Sequence, residues 1–241
     1  YGRLSTAVGS LQTDLIFGND KAKNVAAFLK GRVQTNELNL EELLGEQSQL
    51  GKAKCGIRID AKRPVGGHFA GEIQANVERL DYKNYTYQDI RLAGSFRRNA
   101  FDGSLQVEDP NISLLVNGLL ESKKENTVVN LAVDLAHFRP DKLHLSDKYE
   151  EPDISLSLNA DFTGNNIDNV VGTIEVDDLS FKTKPDSFAL KKLLVKAGSE
   201  NGLRQLKISS DIVNGEVNGA YSFGTIVPSF MNTLKGYIPT L

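Results

Sequence analysis

The chain of 241 residues contains no tryptophan, one cysteine, one methionine and three histidines. Each shortage excludes something. Without tryptophan the broadest aromatic platform used by sugar-binding grooves is missing, which counts against a carbohydrate enzyme or lectin. A single cysteine, Cys55, permits no intrachain disulfide, a usage that fits the cytosol and is also compatible with a bacterial envelope. Lys54-Cys55-Gly56-Ile57 places that thiol beside a strand, where it reads as a packed residue with no local support for reactivity. Neither sign of charge dominates: 28 Lys and Arg stand against 31 Asp and Glu, for a formal net charge of −3. That is no nucleic-acid footprint. Lys123-Lys124 and Lys191-Lys192 are isolated pairs on a solvated face.

Catalytic and metal signatures are missing too. His137 and His144 are separated by Pro140, which forbids one regular helix from presenting both, and His68 is remote; they read as loop residues. No serine lies in Gly-x-Ser-x-Gly and no phosphate-binding Gly-rich loop occurs. Asp177-Asp178 and Glu150-Glu151 are the densest carboxylate clusters and read as solvated residues at strand ends or in loops. No catalytic residue, no metal ligand and no cofactor is expected. No signal peptide or transmembrane run is visible. The chain opens inside a pattern at Tyr1-Gly2-Arg3-Leu4 and reads as a cut piece, with any targeting segment or anchor outside it.

What is abundant is period-two alternation. In Ile154 to Phe162 every even position is apolar and Ser155, Ser157, Asn159 and Asp161 stand between. Ile57, Ile59 and Ala61 alternate with Arg58, Asp60 and Lys62; Val129, Leu131, Val133 and Leu135 form a third such face. Leu206, Ile208 and Ile212 give another around Lys207, Ser209 and Asp211, as do Val217, Tyr221 and Phe223. Such alternation means one dry and one wet face, hence antiparallel rather than doubly wound α/β structure. Turn signals fall at Asp102-Gly103, Asp109-Pro110, Asn165-Asn166, Asn201-Gly202 and Asn214-Gly215.

A glycine, a spacer, an aliphatic residue, a spacer and a small or apolar residue recur at Gly31-Arg32-Val33-Gln34-Thr35, Gly71-Glu72-Ile73-Gln74-Ala75, Gly103-Ser104-Leu105-Gln106-Val107, Gly172-Thr173-Ile174-Glu175-Val176 and Gly215-Glu216-Val217-Asn218-Gly219. Each copy reads as the start of a strand with one apolar face, so a long sheet built by repetition is expected. Helix is scarce. Asn39 to Gly45 forms a short one, with Asn39 as cap, Glu42 in a capping box and Gly45 as terminator. Pro228 to Gly236 reads as another, an amphipathic plug over one end of the sheet, with a membrane-surface helix as the weaker alternative because Lys235 is its only cation. Tyr82, Tyr85 and Tyr87 make the one aromatic cluster; if the stretch is a strand, Tyr85 and Tyr87 share a face and Tyr82 takes the other. The polar stretch 141–152 is read as a loop within one continuous sheet of residues 1–241, with a subdivision into 1–140 and 153–241 as the alternative.

Several segments resemble a known family. Leu29 to Leu44, Leu80 to Phe96, Phe101 to Leu105, Asp178 to Phe181 with Phe188 to Leu190, and Leu206 to Tyr221 are similar to the periplasmic β-repeat region of TamB proteins, the translocation and assembly module component of the AsmA-like group, in its Bacteroidetes form. These segments are repeat consensus, not an active-site signature. The resemblance implies an all-β fold, mainly antiparallel or mixed: a long curled sheet, a β-taco or half-pipe with an apolar concave face and few short helices. It implies a periplasmic location within a protein anchored in the inner membrane, a role in outer membrane biogenesis, and lipid transport. An outer-membrane assembly-type barrel protein would be met through regions outside this chain.

A one-sided sheet must hide its dry face under a second layer, around itself, or against a guest. Phospholipid acyl chains are the expected guest, at about 0.8 kcal/mol per buried CH₂ and roughly 10 kcal/mol gross for a long chain, before ordering costs. The candidate lipid-groove residues are Ile57, Ile59, Ile73, Leu105, Val107, Leu131, Val133, Ile154, Leu156, Leu158, Ile174, Val176, Ile208, Ile212, Val217 and Tyr221. The alternatives are a protein-binding module that captures client strands at open edges, a carbohydrate-active domain with two close inward carboxylates, and a structural sandwich with the dry face covered.

Overall fold

The computed structural model describes residues 2–6, 8–123, 126–165, 169–200, 203–219 and 222. They form one meandering antiparallel sheet. Its strands are β1 (Gly2–Thr6), β2 (Gly9–Asp20), β3 (Val25–Asn36), β4 (Leu38–Asn39), β5 (Leu50–Pro64), β6 (Ala70–Tyr82), β7 (Tyr85–Arg97), β8 (Ala100–Asp109), β9 (Ile112–Ser122), β10 (Thr127–Phe138), β11 (Asp153–Gly164), β12 (Val171–Lys182), β13 (Ser187–Glu200), β14 (Leu203–Ser210) and β15 (Asn214–Gly219). Spatial order follows chain order from β1 to β15, apart from the two-residue β4, which pairs with β5 beside the main path. The sheet is curled and unclosed, with β1 and β15 at its two edges. Strands of about a dozen residues give an arc of roughly 40 Å from lip to lip, and the stacked strands run roughly 65 Å along the axis.

Among the described residues no second layer covers either face. The buried hydrophobic side chains among them are Ala53, Ala61, Ala100, Val107, Val129, Leu143, Ala160 and Leu206, too few and too small for an interior between two sheets. Burial nevertheless alternates. In β6, Gly71, Ile73, Ala75 and Val77 are half-buried while Ala70, Glu72, Gln74, Asn76 and Glu78 are exposed. A lone sheet shelters one face in this way by curling toward it, which crowds the side chains inside the curve and splays those outside. The apolar face is the inside of the half-pipe.

The repeated glycines supply the bend. At Gly31 (φ +141°) a Cβ would sit 1.8 Å from the Asp14 carbonyl oxygen, and at Gly118 (φ +142°) it would sit 1.9 Å from that of Asn130. Only glycine accepts a backbone that brings the next strand so close. Position within the strand departs from expectation: Gly31 lies in the middle of β3 and Gly103 inside β8, whereas Gly71, Gly172 and Gly215 are second residues of their strands. The turns expected at Asp102-Gly103 and Asn214-Gly215 are likewise absent, since both dipeptides are in strands. The chain turns instead at Arg98-Asn99 and across Asp211 to Val213, where the Ser210 hydroxyl receives the amides of Ile212 and Val213. The turn expected at Asp109-Pro110 falls one residue on, at Pro110-Asn111 between β8 and β9, with Asp109 the last residue of β8.

Helix α1 (Leu40–Leu44) is where it was expected, but Asn39 makes no side-chain cap; its amide donates to Glu42 Oε1 at 2.8 Å, and Gly45 closes the helix on the Glu41 carbonyl. The helix expected at Pro228 to Gly236 lies outside the described residues. The segment 139–152 joins β10 to β11, which pair directly in the sheet.

Candidate functional site

Cross-strand register tests whether the apolar positions meet. Thr13, Val33, Ile57, Ala75, Leu92, Leu105, Val116, Val133, Leu158, Val176 and Leu193 are successive opposite partners from β2 to β13. One step along the strands runs a second row: Leu15, Gly31, Ile59, Ile73, Gly94, Gly103, Gly118, Leu131, Ala160, Ile174, Val195, Ile208 and Gly215. A third row begins at Phe17 and Leu29, passes Phe96, Phe101, Phe162 and Leu206, and ends at Val217. Val107 and Leu156 belong to a fourth row through Leu114 and Leu135, while Ile154 faces Phe181. Opposite partners project to the same side, so these rows tile one surface.

Two candidates stand apart. Ile212 is not on this surface: it lies in the β14–β15 turn, 56% exposed, because the Ser210-centred turn ends the alternation after Ser210. Tyr221 lies outside the described residues. Val107 is the one buried candidate among the described residues and Val217, on the edge strand, is 38% exposed. Pattern reading overlooked Leu114, Val116, Phe96, Phe101, Leu193 and Val195, although Leu114 and Val116 alternate as plainly as the residues it chose. Phe101 seals the crease: its ring tip lies 2.7 Å from where a Gly94 Cβ would be and 3.0 Å from that of Gly103.

The wet face carries the charges. Lys30 meets Asp60 at 2.6 Å, Lys54 pairs with Glu78, and Lys192 pairs with Glu175. Asp81 sits below the usual carboxylate range: burial pushes it up, but the Arg79 guanidinium and the Thr86 hydroxyl pull it further down. Shallow hollows occur on this face also, one lined by Arg32, Arg58 and Arg91 with Gln34, Gln74 and Asn76.

Among the described residues one lip is built up and the other bare. Segment 139–152 lies along the lip formed by the β6–β7, β8–β9 and β12–β13 turns. Its Leu143 is fully buried, the Tyr87 hydroxyl reaches the Leu143 carbonyl at 3.5 Å, and His144 Nδ1 lies 3.1 Å from the Lys83 carbonyl oxygen. At its far end Tyr149 packs edge-on against Phe181 at 5.1 Å, and the Lys184 amide donates to the Glu150 carbonyl. Beneath it Asp109, 3% exposed, accepts from the Tyr85 hydroxyl and from the amides of Gln88 and Asn111. Burial, then the Asp109 hydrogen bond, raises the pKa of Tyr85 above that of an ordinary tyrosine; burial and the Asp109 charge do the same for Tyr87.

The tyrosines correct an expectation. Tyr82 stands directly opposite Tyr85, and both ring pairs with Tyr87 are close, at 6.4 and 4.9 Å. Tyr82 therefore shares the side of the other two, because Lys83 and Asn84 (φ +50° and +60°) turn the chain and split the stretch between β6 and β7. His137 is in β10 rather than a loop, and Asp177 and Asp178 lie within β12, with Asp178 (φ +50°) at an irregularity. Among the described residues no group of His, Cys, Asp and Glu is placed to hold a metal ion. Cys55 is half-buried in β5, its Sγ 3.4 Å from the Thr35 hydroxyl.

The class these features define is a single-layer, curled, unclosed antiparallel sheet with one continuous apolar face. No family model, no curated protein and no solved structure matches the chain.

Proposed function

We propose that this chain is a non-catalytic module of the bacterial envelope, of the TamB type, whose apolar trough holds or conducts phospholipid acyl chains between the inner and outer membranes. It would work in the periplasm as part of a protein anchored in the inner membrane. One observation carries the reading: the rows of Ile, Val, Leu and Phe continue from strand to strand on the inside of the curl and remain half-exposed, with no layer over them among the described residues. An aliphatic surface of that extent in water is a site for an apolar guest. Neighbouring rows offer similar methyl and methylene groups, so the gain of about 0.8 kcal/mol per buried CH₂ changes little as a chain shifts by one strand. The guest can slide without a deep trap, its polar head in water between the lips.

Among the described residues β1 and β15 each pair on one side only, which supports a second reading, in which a client strand adds to the sheet and the module assists outer-membrane protein assembly. Native mass spectrometry of protein expressed in the envelope, with lipid extraction, separates the two. The lipid reading predicts copurifying phospholipid that a fluorescent fatty-acid probe displaces. Protein free of lipid and unable to bind the probe would overturn it; protection of an edge strand by bound peptide would support the second reading.

A further inference from the structure

The bare lip is not uniform. Three of its turns are joined by backbone hydrogen bonds: the Val65 amide donates to the Asn24 carbonyl at 3.2 Å, and the Arg98 amide donates to the Phe69 carbonyl at 3.2 Å. The β2–β3, β5–β6 and β7–β8 turns thus form one continuous ledge. Its apolar side chains face water: Phe17 is 81% exposed, Val65 64% and Phe69 43%. Cations prevail along it. Lys21, Lys23, Lys62, Arg63, Arg97 and Arg98 lie in its turns or within three residues of them; of the carboxylates as near, Asp20 is bound to Lys23 at 3.1 Å, and Glu72 and Asp102 stand beside the ledge on the strands. The Arg63 guanidinium lies 5.5 Å from the centre of the Phe69 ring, so cation and aromatic are presented together. In a chain whose net charge is −3, this concentration of cations needs a counterpart. The built-up lip, by contrast, mixes signs through Arg139, Asp141, Lys142, Lys148, Glu150 and Glu151.

We propose that this ledge docks on the surface of a bilayer containing anionic phospholipid. Phe17, Val65 and Phe69 enter the boundary between headgroups and acyl chains, and the Arg and Lys side chains snorkel to the phosphates. Exposed aromatic and aliphatic side chains interleaved with cations suit that interface, whereas an acidic protein would satisfy the charges and leave three large apolar side chains wet. The proposal goes beyond the trough reading without depending on it; if both hold, a lip resting on the membrane brings the trough's open side beside the lipids it takes.

Vesicle co-sedimentation of the full chain tests it, comparing phosphatidylcholine with phosphatidylcholine mixed with phosphatidylglycerol. Binding is expected only with the anionic lipid, and it should fall as ionic strength rises from about 0.05 to about 0.3 M. Reversing three ledge cations together (Arg63→Glu, Arg97→Glu, Arg98→Glu) should weaken it on the order of 100-fold or more. Val65→Ser with Phe69→Ser, both in the β5–β6 turn and outside the rows of the trough, should weaken it about 10-fold or more at unchanged charge. Circular dichroism and binding of a soluble fatty-acid probe check the fold and the trough separately, so failure here and failure of the trough are distinguishable. Equal binding to neutral vesicles, undiminished binding by the charge-reversed protein, or full competition by soluble inorganic phosphate would overturn the docking surface.

Discussion

Gly118 shows how much of this shape rests on single atoms. Its φ of +142° and the Asn130 carbonyl 1.9 Å from any added Cβ leave no room for a side chain. Gly118→Val should therefore lower stability by about 2–4 kcal/mol, since both backbone strain and displacement of β10 must be absorbed. Gly198→Ala is the control: nothing lies within 4 Å of its Cβ position, so denaturant midpoints should change little or rise slightly. Equal losses at the two positions would contradict the role given to the crease. Asp109 is the polar counterpart. Asp109→Ala would leave the amides of Gln88 and Asn111 and the Tyr85 hydroxyl without their acceptor, at a cost of about 1–3 kcal/mol for each group that water cannot reach. The Tyr85 hydroxyl also sets a pH dependence. Its folded pKa is raised, by burial first and by Asp109 next. The stability it contributes is whole below the unfolded value of about 10 and is lost as pH climbs through the folded one. Alkaline titration of stability should be steeper for the natural chain than for Tyr85→Phe; identical slopes would remove Tyr85 from the account.

At the scale of elements, segment 139–152 ties the β6–β7 turn to the β12–β13 turn along one lip. Leu143, wholly buried, is its anchor. Leu143→Ala should cost about 2–5 kcal/mol in thermal or denaturant unfolding and raise amide exchange in the segment, with slower exchange kept in the strands beneath. This is also the scale at which the limits of the sequence show. Alternation in β5, β10 and β11 announced their strands and their inward residues, because period two is set by the backbone itself. Gly103 and Gly215 misled as turn signals because glycine marks any backbone that leaves ordinary φ, and here it marks a bend within the sheet. Strict alternation puts Tyr82 on the wrong side because Lys83-Asn84 contains no glycine, so a hairpin turn carried by left-handed Lys and Asn gives no signal. Ile212 was joined to Leu206 and Ile208 because its spacing continues the pattern, although the Ser210 hydroxyl had already ended the strand. Segment 139–152 reads as a polar loop; that one leucine would anchor it along a lip depends on contacts with residues more than fifty positions away, which no local pattern carries.

For the whole molecule, the fold class and the run of inward residues were legible, since every strand repeats the same one-sided code. Whether the dry face met a second layer was not, because alternation reads the same under a sandwich as in an open trough. The half-exposure of those residues, in a sheet that no other described residues cover, favours the trough. The direct measurement is photocrosslinking with benzophenone side chains placed singly at Leu158, on the inner face, and at its neighbour Asn159, on the outer one, in protein expressed in a bacterial envelope. The account predicts phospholipid adducts at 158 and none above background at 159, with the same inside–outside alternation at Leu131 and Asn130. Equal labelling of both faces, or none at 158, would contradict it.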